Sequence, residues 1–79
     1  MRDTQPPITD HEEYLGYQRA RDKLTQFVAE RETHLFEALA AADQELIEDR
    51  RAELLTALRK RQGIIDAIRD YERHQQQSA

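Results

Sequence analysis

Glu30 and His34 stand at i and i+4, close enough on a helix to share a metal ion, with Glu32 and Glu37 beside them. A ferritin-like di-metal centre takes Glu-x-x-His from two helices, and the chain contains no such motif. His11 and His74 fall near the ends of the helical region, among acidic neighbours. The histidines therefore read as solvated side chains, and no metal or other cofactor is implied. Paired carboxylates occur at Glu12-Glu13 and Glu48-Asp49, but with 16 acids such neighbours are expected. No apolar pocket is evident that would drive two carboxyl groups apart in acidity, as acid–base chemistry requires. Ser78 is the single serine, in the tail, which leaves no serine nucleophile. Gly16 and Gly63 are isolated and form no phosphate-binding loop. The sequence does not read as an enzyme.

Two basic clusters, Arg50-Arg51 and Arg59-Lys60-Arg61, could supply a positive stripe to phosphates or to an acidic partner. Glu48, Asp49 and Glu53 interleave the first, and Arg51 and Arg61 can snorkel along an apolar seam instead. The net charge of −4 argues against broad nucleic-acid binding, which needs a basic face. A nucleic-acid-associated regulator using the Arg50–Arg61 stripe is the alternative reading. Arginine outnumbers lysine and asparagine is absent, a bias expected of GC-rich bacterial coding.

The elements that must position these groups are helices. Pro6-Pro7 forces extended geometry, so residues 1–8 read as an arm. Thr9 with Glu12 and Asp10 with Glu13 both fit a capping box, and Ile8 is placed to staple onto the first turn. Apolar side chains then recur at helical spacing: Tyr14, Tyr17, Leu24, Val28, Leu35, Leu39, Ala42, Leu46. Charged residues interrupt this stripe at Arg21 and Arg31-Glu32. A second set runs Ile47, Leu54, Leu58, Ile65, Ile68 at nearly heptad spacing. Asp43 is a good N-cap after Ala40-Ala41-Ala42, so the spacing predicts two helices, about 10–40 and 44–74, in an antiparallel hairpin spanning 9–74. A continuous rod would need sustained heptads, which the seam charges spoil. A variant breaks the first helix at Thr33. Residues 75–79 lack apolar anchors and are expected to fray.

Seventy-nine residues without cysteine cannot use disulfides, and a chain this short buries a modest core. Association is the remaining source of stability. The expected fold is all-α, a two-helix hairpin dimerising into a four-helix bundle. Its interface is expected at Leu24, Val28, Leu35, Leu39, Leu54, Leu58, Ile65 and Ile68. Phe27 and Phe36 widen the apolar face beyond what one partner helix covers, and with Arg59 and Lys60 they form a candidate partner face. Tyr14, Tyr17 and Tyr71 should meet at the open end. No run approaches the ~20 apolar residues of a membrane span, and Met1–Pro7 lacks the apolar core of a signal peptide, so the cytoplasm is expected.

The opening Pro7-Ile8-Thr9-Asp10-His11-Glu12-Glu13-Tyr14, followed by Ala20 and Leu24, resembles the first helix of HigA-like antitoxins, with its Pro-Ile-x-Thr-Glu-x-Glu-Tyr pattern. The closing Ile64-Ile65-Asp66-Ala67-Ile68-Arg69-Asp70-Tyr71-Glu72-Arg73 is similar to the end of that family's second helix, Leu-Ile-x-x-Tyr-Glu. The matching segments cover less than half of the chain, the stretch between them is longer than the family's, and the family's helix-turn-helix is missing. The resemblance implies a stand-alone hairpin that dimerises or holds a protein partner, without repressor activity. Together with composition, it points to a small bacterial or mobile-element accessory protein acting as an adaptor or inhibitor.

Overall fold

The computed structural model describes residues 5–77, which form two helices, α1 (His11–Ala41) and α2 (Gln44–Gln77), packed against each other as a hairpin. Residues 1–4 of the expected arm and 78–79 of the expected tail lie outside the described residues. Asp10 is the N-cap of α1: its extended backbone lets the carboxylate accept from the Glu13 N–H at 2.8 Å. Glu13 reaches back one residue further than the standard box, accepting from the N–H and the hydroxyl of Thr9. Ile8 is buried in a cluster with Ile64 and Ile68 of α2, against which Tyr14 and Tyr17 of α1 also pack. The helix runs unbroken through Thr33, whose hydroxyl donates back to the Ala29 carbonyl at 3.2 Å.

Ala42 ends α1 in the left-handed region, with φ 54° and ψ 33°. Its N–H donates to the Leu39 carbonyl at 3.1 Å and the Asp43 N–H to that of Ala38 at 3.4 Å. This is the Schellman arrangement, made with alanine where glycine is usual. Asp43 then caps α2, accepting from the Leu46 N–H at 3.2 Å. The turn therefore occupies only Ala42 and Asp43 between the helices. At its other end α2 continues through Gln75, Gln76 and Gln77, past the helix end expected at residue 74. Glutamine favours helix, and no glycine or proline follows His74 to stop it.

The seam follows heptads on both helices. On α1 the a positions are Tyr14, Arg21, Val28 and Leu35, and the d positions Tyr17, Leu24, Arg31 and Ala38; on α2 they are Ile47, Leu54, Arg61, Ile68 and Arg50, Ala57, Ile64, Tyr71. Each of these positions is buried or half-buried. Four are arginines, and the innermost of the others include Ala38 and Ala57, 1% and 3% exposed. The charges at Arg21 and Arg31 thus interrupt the stripe without ending the pairing.

The molecule is a rod, 54 × 21 × 15 Å, with a radius of gyration of 15.9 Å. A compact domain of this length would have a radius near ~12 Å. Its exposed surface is 5963 Å², against roughly 5,000 Å² for a compact monomer of this mass. No helix of the described residues is long and apolar enough to cross a membrane.

Candidate interaction surfaces

The rod has two broad sides, distinguished by which heptad flanks they carry. In an antiparallel pair the e positions of both helices share one side and the g positions the other. Two cross-helix contacts fix the assignment. Arg61 Nε donates to the Thr25 hydroxyl at 2.8 Å on the e side, and Arg31 donates to Glu53 at 3.0 Å on the g side.

The e side, with the b positions that flank it, carries most of the exposed apolar surface. Leu39, Leu58 and Ile65 are e residues, and Leu15, Phe36 and Leu55 are b residues. All but the half-buried Ile65 are exposed, Phe36 at 65% and Leu39 at 49%. Of the eight residues expected at an oligomer interface, Leu24, Val28, Leu35, Leu54 and Ile68 lie in the hairpin's own seam. Leu39, Leu58 and Ile65 remain on the outside. The sequence groups them because its leucines and isoleucines form one stripe at helical spacing, in which Arg50, Ala38 and Ala57 do not register. Strict seven-residue spacing, kept through those residues, would have separated seam from flank.

The g side is organised around Glu53. Its carboxylate accepts from Arg31 at 3.0 Å and from Arg50 at 3.2 Å, and these bonds hold it below the usual carboxylate range. The Arg31 guanidinium also lies 4.6 Å from the centre of the Phe27 ring. Its Nε is buried without a hydrogen-bond partner among the described residues. Between the helices here lies a groove of about 760 Å³, bordered by Lys23, Phe27, Arg31, Ala52, Glu53, Thr56 and Lys60. Phe27 and Lys60, two of the four candidate partner-face residues, thus come together, whereas Phe36 sits on the opposite side and Arg59 at an exposed outer position.

The basic clusters do not form one stripe. Arg50 turns inward to Glu53 and Arg61 to Thr25, while Arg51, Arg59 and Lys60 are exposed on different faces of α2.

At the open end the three tyrosines meet. The rings of Tyr14 and Tyr71 lie 4.9 Å apart, and Tyr17 donates its hydroxyl to the Pro6 carbonyl at 3.0 Å. Tyr14 donates to Glu72 at 2.7 Å, which together with burial and the Glu72 charge pushes its phenol above the ordinary value. Glu30 and His34 do not converge with other ligands, and among the described residues no group of three His, Cys, Asp or Glu could hold a metal ion. Compared with protein-family models, curated proteins and solved structures, the chain has no match.

Proposed function

We propose that this hairpin self-associates through its e side into a four-helix bundle and works by protein–protein contact, as an adaptor or inhibitor. The observation that carries this reading is the group of large apolar side chains left exposed in the half near the turn. There the seam holds Val28, Leu35, Ile47 and Leu54 with Ala38 and Ala57 between them, while Phe36, Leu39, Leu55 and Leu58 are exposed. Burying large apolar side chains yields about 1.5–3 kcal/mol each, so a face of this composition favours a partner. The surface in excess of a compact monomer, roughly 1,000 Å², is close to the ~800 Å² that each partner buries in a stable interface. A twofold pairing of e sides is self-complementary, as a closed dimer requires. The likeness to the HigA-like hairpin supports the same role: an antitoxin-like accessory protein that dimerises and occupies a partner.

Sedimentation of the full chain at micromolar concentration tests the assembly. A dimer is expected, and Leu58→Asp should convert it to a monomer by placing a charge in the buried interface. Phe36→Ser, at a more exposed site, should weaken the dimer without altering the hairpin. A wild-type chain that stays monomeric at these concentrations overturns the reading.

A further inference from the structure

The groove on the g side has a composition suited to one class of ligand. Its α2 wall is made of Ala52 and Thr56, one turn apart, which leave a strip too low to fill the space opposite Phe27. Small side chains in such a row let another helix axis approach closely. Phe27 is 41% exposed and forms the apolar wall on α1. The groove follows α1 from Lys23 to Arg31 and α2 from Ala52 to Lys60. Each span is about 12 Å at 1.5 Å per residue, long enough for two turns of a third helix.

Its charge identifies the ligand further. Arg31 and Glu53 bind each other, and Arg50 adds a second donor to the same carboxylate. Lys23 and Lys60 are exposed at the rim and have no partner among the described residues. Since the sums i + j of facing seam residues place Lys23 across from Lys60, the two ammonium groups flank one end of the groove. On a chain of net charge −4, this is a local positive site with an apolar floor.

We infer that this groove receives an amphipathic helix of a protein partner, with its apolar face against Phe27, Ala52 and Thr56 and acidic side chains over Lys23 and Lys60. This is the helix-in-groove mode of recognition, in which apolar anchors at i, i+3 or i+4, and i+7 supply affinity and flanking charges supply selectivity. The site lies on the side away from the proposed dimer face, so it is open whether the chain is one copy or two. The inference does not rest on the self-association reading.

The test uses the full-length chain and two labelled synthetic helices that share one leucine stripe, one flanked by glutamates and the other by lysines at the same positions. Fluorescence anisotropy should show saturable binding of the glutamate peptide, about tenfold tighter than the lysine peptide, as two exposed ion pairs allow. The double variant Lys23→Glu/Lys60→Glu should abolish or reverse that preference, and Phe27→Ser should weaken both peptides. All three sites are exposed, and unchanged circular dichroism would confirm that the variants fold. Absent binding, equal binding of the two peptides, or a preference untouched by charge reversal would each overturn the inference. So would dissociation of a wild-type dimer by Phe27→Ser, because the groove would then belong to the self-interface.

Discussion

The two ends of this rod differ in how many of their large apolar side chains they leave outside. At the open end the bulky residues are inside: Ile8, Ile64 and Ile68 form a buried cluster surrounded by Tyr14, Tyr17, Leu24 and Tyr71. The hydroxyls of Tyr14 and Tyr17 find Glu72 and the Pro6 carbonyl, so two of the three phenols in that packing are hydrogen-bonded. Towards the turn the seam holds Val28, Leu35, Ile47 and Leu54 but also the small Ala38 and Ala57, and five of the six exposed large apolar residues lie there. Alanine brings the helix axes together but supplies little burial. One end thus encloses its large apolar side chains, and the other leaves several of them on its outer face.

Substitutions that act on one end alone can break this contrast. The largest effect is expected from Ile68→Ala, which empties the centre of the open-end cluster. It should cost about 3 kcal/mol of unfolding free energy in urea titrations, yet leave the mass of the folded species unchanged. The mirror experiment is Leu39→Ser, on the outer face near the turn. It should shift unfolding of the isolated hairpin by less than about 0.5 kcal/mol, as surface substitutions do, while raising the dimer dissociation constant. If both variants affected folding and assembly alike, the two ends would not be distinct.

The backbone offers a smaller pair of tests with matched chemistry. Ala42 occupies left-handed space that glycine enters freely, so Ala42→Gly should stabilise the hairpin by about 1 kcal/mol. Gly16 sits inside α1 with nothing within 4 Å of an added Cβ. Gly16→Ala should therefore add about 0.5–1 kcal/mol of helix stability. Thermal melts of the two variants and their combination would show whether turn and open end contribute independently.

The smallest effects are those of pH, and they differ in sign between the ends. Glu53, near the turn, has its acidity strengthened in the fold. Its contribution is present above the ordinary carboxylate value and is lost as pH falls through the lowered one. Tyr14, at the open end, is shifted upward: its contribution is present below the ordinary phenol value and is lost as pH rises through the raised one. Glu53→Gln should flatten only the acid limb of a stability–pH profile, and Tyr14→Phe only the alkaline limb.

The hairpin itself was legible in the sequence, because its signals are local. Thr9 and Asp10 mark the first cap, Asp43 marks the second, and the absence of proline beyond Pro7 leaves nothing else to stop a helix. The meeting of Tyr14, Tyr17 and Tyr71 followed from pairing equal arms. What stayed hidden depends on partners far apart in the chain. Glu53 gains its role only from Arg31 and Arg50, and Ile8 only from Ile64 and Ile68. In the sequence Arg21 and Arg31 read as interruptions and Arg61 as able to snorkel along the seam; that Arg21, Arg31 and Arg50 also sit in it, stems packed and charged ends outside, is something hydropathy does not register. The groove is half visible in the sequence: Phe27 and Lys60 group together, but the pattern puts Phe36 and Arg59 on the same face, because the hairpin's two sides arise only when the helices pair.

Hydrogen exchange measured at low and high protein concentration tests the contrast most directly. Amides across residues 28–58 should become more protected as concentration rises, while those around Ile64–Tyr71 keep the same protection throughout. Protection that is independent of concentration along both helices, in a chain that remains monomeric, would contradict the view that the half near the turn is completed by a second copy.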